Sequence, residues 1–124
     1  EAFCRAHPDL VVYGEIYGQV QDLRYGATKD DPIRIAVFDL LRGNEWLAPD
    51  IAREVGAMLP WVPMIASVAY DPAAVEAMAE GPSLMPGATH VREWCVVKPV
   101  AERTHLELGR VQLKVIGNGY MERA

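Results

Sequence analysis

At 124 residues and 13.7 kDa the chain fits one domain, with 51% hydrophobic and 23% charged residues, an ordinary globular balance. That composition argues against disorder, no apolar run reaches the roughly 18–20 residues of a membrane helix, and no signal-peptide pattern opens the chain. Cys4 and Cys95 make neither a disulfide framework nor a paired metal-ligand spacing, so a zinc module and a stapled secreted scaffold are set aside. The net charge of −5, from 12 basic and 17 acidic residues, argues against a nucleic-acid coat while leaving room for a local basic groove. The absence of export signals and paired cysteines points to a cytoplasmic location.

In chain order, the first residues read as the tail of a helix ending in a turn at His7-Pro8-Asp9. Leu10 to Gly18 reads as a buried strand, rich in β-branched and aromatic residues, with Tyr13, Glu15 and Tyr17 on one face. Gln19 to Pro32 is polar and carries turn signals at Gly26 and Asp30-Asp31-Pro32. Ile33 to Leu41 reads as a second strand, turned by Arg42-Gly43-Asn44 into a hairpin that ends near Trp46-Leu47. Pro49 suits the first turn of a helix running to about Met58, with Ile51, Val55, Met58 and Leu59 as its apolar stripe. Val62 to Tyr70 reads as a short strand or extended segment.

Asp71-Pro72 predicts a capped helix that ends at Gly81. A loop, PSLMPGAT, leads to the last two strands, Val91 to Val100 and Arg110 to Gly117, joined by a charged connection through His105. There is no internal repeat and no evident linker, so residues 1–124 read as a single α+β domain. Its sheet is expected to be mostly antiparallel, with at least four strands and two short helices.

Four strand segments carry a charge in an apolar setting: Glu15, Asp39, Glu93 and Lys114. One such residue is most simply a solvated strand position. Burying an isolated charge costs several kcal/mol, roughly, unless a partner or ligand meets it. Four in consecutive strands suggest a sheet face that could take a nucleotide with its metal ion.

The order Tyr13-Gly14-Glu15, Phe38-Asp39, Glu93 with Val96-Val97-Lys98, then Leu113-Lys114 resembles the covalent nucleotidyltransferases, comprising DNA ligases, RNA ligases and mRNA capping enzymes. YGEIYGQVQDLRYG, followed by FDLLRGNEWL and HVREWCVVKP, is most similar to the ATP-dependent RNA ligases, over roughly Val11 to Tyr120. The resemblance implies part of an adenylation domain, from the third conserved motif to the fifth. It implies that Glu15 helps hold the ATP ribose and that Phe38 stacks on adenine. Glu93 is linked to the divalent metal, usually Mg²⁺. Lys98 is the last residue of the fourth motif and is taken as nucleotide-binding. Lys114 contacts the α-phosphate, which makes it, with Glu93, a catalytic candidate. Taken alone, Phe38 reads as a core aromatic and Lys98 as a strand-end lysine in water.

Two positions depart from the pattern: Trp94 follows Glu93 where the family has glycine, and Ile116 stands where a second lysine is common. The nucleophilic Lys-x-(Asp/His)-Gly motif, which precedes the third motif in the family, is not present; Lys29-Asp30-Asp31-Pro32 lacks the glycine and lies downstream. The chain is therefore expected to supply nucleotide and metal residues but not the nucleophile. Its expected partners are ATP, RNA ends awaiting repair and a missing N-terminal half of the adenylation domain, with no membrane involved. The rival readings are a noncatalytic nucleotide- or RNA-binding module, and a DNA ligase or capping enzyme.

Overall fold

The computed structural model describes residues 1–18 and 30–122. Most of the polar Gln19–Pro32 segment, including Gly26, Lys29 and the VQDLR stretch, lies outside the described residues. The chain forms two compact units: 1–16 with 34–62 and 98–111, and 17–33 with 63–97 and 112–124.

The first unit opens with helix α1 (Ala2–Ala6), whose Phe3 is buried. Strand β1 (Leu10–Tyr17) follows the expected His7–Asp9 turn. β1 is not the buried strand its composition suggests, because only Leu10 is fully enclosed and most of the rest is exposed. β-branched and aromatic residues signal a fit to a pleated surface, and they do not signal which face is covered. Strand β2 (Arg34–Arg42) is the buried one, with Leu40 at 0% and Val37 at 1% exposure. A turn through Gly43, whose φ is +59°, returns the chain as β3 (Glu45–Trp46), antiparallel to β2 with Arg42 opposite Glu45. The sheet order is β1-β2-β3.

Helix α2 (Pro49–Val55) begins with proline as expected but ends about one turn before Met58. Its buried residue is Ala52, and Ile51 and Met58 are exposed at 49% and 76%. The expected stripe is thus rotated towards a small side chain that lets the helix sit close to the Phe3, Leu10 and Leu40 cluster, with Val55, Leu59 and Trp61 around it. After α2 the chain bonds to β2: Val37 donates to the Pro60 carbonyl and accepts from Val62, both at 2.8 Å. The extended stretch expected from Val62 to Tyr70 contains no regular strand.

In the second unit α3 (Pro72–Ala79) is capped by the Asp71 carboxylate, which accepts from the Ala74 N–H at 3.3 Å. It is ended by Gly81 at φ +96°. Strands β4 (Trp94–Val97) and β7 (Leu113–Ile116) pair antiparallel, with Trp94 opposite Ile116 and Val96 opposite Lys114. Both are shorter than the sequence suggests. The expected Arg110–Gly117 strand is split, because Gly109–Arg110 (β6) pairs with Thr104–His105 (β5) in a separate hairpin of the first unit. Cys95, Val97 and Val115 pack against Val75 and Ala79 of α3. By the two-residue period of strands, Trp94, Val96, Lys114 and Ile116 then share the opposite, open face. A four-residue helix, α4 (Asn118–Met121), closes the unit, so two short helices at the chain ends join the two expected.

Candidate functional site

Asp39 gathers the chemistry of the first unit. It lies in the middle of β2 with its side chain 7% exposed, and two cations meet it there. Arg110, on β6, donates from Nη1 to Oδ2 at 2.9 Å and from Nη2 to Oδ1 at 2.8 Å, a bidentate fork. Lys98 donates from Nζ to Asp39 Oδ1 at 2.8 Å and to the Phe38 carbonyl at 2.5 Å. The remaining edge of Arg110 is taken by Glu102, at 2.5 Å from Nε and 3.2 Å from Nη2. Its flat face lies 4.2 Å from the Trp46 ring centroid, and Tyr13 packs on the same indole at 4.9 Å.

Burial pushes the Asp39 carboxyl up, but hydrogen bonds from Arg110 and then Lys98 outweigh it and hold the group below its ordinary value. Chiefly through its bond with Asp39, against the opposing effect of burial, Arg110 is held still more firmly in its charged form. The cluster is a closed ionic network in which a buried carboxylate is met by two cations, and a second carboxylate balances the arginine.

Phe38 stands out against that network. Its neighbours Val37 and Asp39 are buried, yet Phe38 itself is 38% exposed, with the Lys98 ammonium 5.9 Å from its ring centroid. It is therefore not the core aromatic it resembles in isolation. Nor is Lys98 a strand-end lysine in water, for its side chain is 17% exposed and ion-paired. Glu15 lies on the exposed stretch of β1.

In the second unit Glu93 is buried immediately before β4, and its backbone carbonyl accepts from the Gly117 N–H at 3.1 Å. Lys114, exposed on β7, places its ammonium 3.8 Å from the centroid of the Trp94 indole. The structure thus groups Phe38 with Lys98 in the first unit, which also holds Glu15, and puts Glu93, just before β4, and Lys114, on β7, in the second. Among the described residues there is no cluster of three or more His, Cys, Asp or Glu side chains able to hold a metal ion. No helix among them is long and apolar enough to cross a membrane.

The profile of the RNA ligase family matches residues 2–116. The chain belongs to the RNA ligase family. Its fold matches part of the solved RNA ligase from Naegleria gruberi. A mutant of that ligase with AMP and Mn aligns at a TM-score of 0.76 and 21% identity, covering 99% of this chain and 37% of that one. Another mutant, with ATP and Mn, gives the same TM-score and identity. A form with pyrophosphate gives 0.70 and 23%, covering 92% of this chain and 34% of that one. This RNA ligase family chain therefore spans little more than a third of those structures. A comparison with curated proteins returns no match.

Sequence reasoning missed Arg110, Glu102 and Trp46. The available signal was Asp39, a carboxylate in an apolar run that had to be matched by a cation. What was hidden is which cation: Arg110 lies 71 residues away, in a hairpin too short to announce itself.

Proposed function

We propose that the chain is the nucleotide-pocket portion of an ATP-dependent RNA ligase that joins an RNA 3′-hydroxyl to a 5′-phosphate, as in repair of a broken strand. In the proposed cycle a lysine amine attacks the ATP α-phosphorus and pyrophosphate leaves, giving lysyl-AMP. The adenylate then passes to the RNA 5′-phosphate, and the 3′-hydroxyl displaces AMP as the strand is sealed. In this reading Phe38 stacks on adenine and Glu15 helps hold the ribose. Lys98 fixes the strand that presents the ring, and its ammonium contributes to the nucleotide site. Lys114 faces the α-phosphate and stabilises the charge developing there.

The observation that carries this reading is the exposed Phe38 residue beside the Lys98 ammonium, between buried Val37 and Asp39 in β2 of an RNA ligase family chain. An aromatic face serves any purine, and a buried ionic network behind it keeps it rigid. The Naegleria ligase forms with ATP or AMP and Mn support nucleotide and divalent-metal use.

Mg²⁺ is commonly held by one or two carboxylates plus the substrate's phosphates. In this reading Glu93, buried just before β4, is one such carboxylate. When bound, the metal supplies neutralisation of phosphate charge. Glu93 is the residue that would hold it.

None of Lys29, Lys98 and Lys114 sits in a Lys-x-(Asp/His)-Gly sequence. The 124-residue chain is therefore expected to take up no label when incubated with α-labelled ATP and Mg²⁺, and a stable protein–AMP adduct would refute its place in this scheme. Adding a segment that carries the lysine motif, from the N-terminal part of the adenylation domain, should restore sealing of nicked RNA. Failure of that complementation while ATP still binds would favour a noncatalytic nucleotide-binding module. Better sealing of nicked DNA, or a preference for GTP, would favour a DNA ligase or a capping enzyme. We place the reaction in the cytoplasm.

A further inference from the structure

The open face of the β4–β7 pair holds an arrangement that the proposed function does not explain. Trp94 stands directly after Glu93, and the antiparallel register puts Trp94 opposite Ile116 and Lys114 opposite Val96. Trp94 and Lys114 are thus diagonal neighbours on one face, close enough for a long side chain to reach an aromatic one. The Lys114 ammonium uses that reach and lies 3.8 Å from the centre of the indole. Tyr120 meets the same indole edge-on, with ring centroids 6.5 Å apart and planes at 85°. Tyr120 is carried by α4, whose first N–H groups are held by Glu80: the carboxylate accepts from Asn118 at 2.5 Å and from Gly119 at 3.3 Å. From α3 through Glu80, α4 and Tyr120, the chain builds a brace around the indole that holds the lysine.

We infer that Trp94 is a positioning residue for Lys114, its indole face holding the ammonium in place before a nucleotide phosphate arrives. A lysine has four rotatable side-chain bonds and loses that freedom when it grips a phosphate. An ammonium already resting on an aromatic face has given up much of it in advance. The contact is electrostatic and undirected in azimuth, so the lysine can donate its N–H groups to a phosphate without leaving the ring. A glycine at position 94 would offer no such rest. The inference rests on the reading of Lys114 as a phosphate contact.

The test uses the full chain with Trp94→Leu, Trp94→Phe, Lys114→Met and the Trp94→Leu/Lys114→Met double variant, each first checked for folding by backbone NMR. Stacking on the indole shifts the Lys114 Hε and Hδ signals upfield. The shift is expected in the parent chain, partly kept in Trp94→Phe and lost in Trp94→Leu. MgATP affinity, measured by calorimetry, is expected to fall about fivefold in Trp94→Leu and to recover in part in Trp94→Phe. With lysine already removed, Trp94→Leu should cost no more. An unshifted Lys114 in the parent chain would overturn the inference. So would unchanged MgATP affinity in Trp94→Leu alongside weakened binding in Lys114→Met, a result that leaves the nucleotide reading intact. If the parent chain binds no MgATP, or Lys114→Met binds it as well as the parent does, the nucleotide reading fails and takes this inference with it.

Discussion

A guanidinium with a carboxylate on two sides and an indole on its face has no freedom left, and Arg110 is in that position. Its side chain is 13% exposed and that of Asp39 is 7% exposed, so water does little to replace a lost partner. Breaking a buried pair leaves an uncompensated charge, and Arg110→Met is expected to cost about 3 kcal/mol in urea unfolding. Arg110→Lys should recover part of that, because it restores the charge but not the two-pronged bond or the flat stacking surface. If the lysine variant is as stable as the parent, the fork is not what matters. Asp39 carries a second expectation. Its carboxyl is held below its ordinary value in the fold, so its contribution is complete above the unfolded value near 3.8 and is lost as pH falls through the lower folded value. The stability gap between the parent and Asp39→Asn should therefore be constant from neutrality to about pH 4 and narrow below it. A gap unchanged down to about pH 2 would show that Asp39 is not bound as a carboxylate.

Elements meet through backbone as well as side chains, and Gly117 marks the tightest such meeting in the second unit. A Cβ there would lie 2.7 Å from the Ala79 carbonyl oxygen at the end of α3 and 3.4 Å from that of Arg92. Its φ of −69° is open to any residue, so the requirement for glycine comes from close approach and not from backbone conformation. Gly117→Ala must push β7 and α4 away from α3, at an expected cost of about 1–3 kcal/mol, and should loosen the Trp94–Tyr120 contact. Thermal unfolding with tryptophan fluorescence reads both effects, and an unchanged melting temperature would show that α3 yields freely. Gly14 has the same character in the first unit, where a Cβ would lie 2.8 Å from the Ala36 carbonyl oxygen. Such approaches are invisible in a sequence. Legible instead were features with a local cause: the β2 run of branched and aromatic residues, the Gly43 turn, and the Asp71-Pro72 start and Gly81 stop of α3. Of the expected α2 stripe, Val55 and Leu59 do pack on the core, but Ile51 and Met58 were misread, because the helix buries Ala52 and periodicity gives no weight to a small side chain that allows close packing. The same limit applied to the site. Phe38, Glu93 and Lys114 were singled out as candidates by ordered motifs, whereas Arg110 and Glu102 act through contacts that no local pattern encodes.

Charge over the whole chain sets how its parts could recognise RNA. The net charge is −5, and many of the cations already have work inside the protein. Arg53 donates to the Val62 carbonyl at 2.8 Å, Arg92 to the carbonyls of Met78 and Pro82, Lys98 to Asp39, and Arg110 to both Asp39 and Glu102. Arg5 and Arg42 are paired more loosely, with Glu1 and Asp9, at exposed positions where a phosphate could displace the carboxylate at little cost. Arg53, Arg92 and Arg110 are thus engaged within the protein, and Lys98 is engaged with Asp39 beside the proposed nucleotide site. The net acidic charge therefore argues against a broad basic surface as the way this chain would hold RNA. Phosphate contacts release counterions, and each adds about 0.7 to the slope of log affinity against log salt for a single strand. With its net charge of −5, the chain alone should bind single-stranded RNA weakly, with a slope of about −2 or shallower between roughly 50 and 200 mM salt. Arg42→Ala and Arg5→Ala should change that slope by less than about one unit each. Filter binding or fluorescence anisotropy over that range decides the matter. A slope of about −4 or steeper would require a basic groove made from other residues, and would move the main RNA contact from the rest of a ligase onto this portion of it.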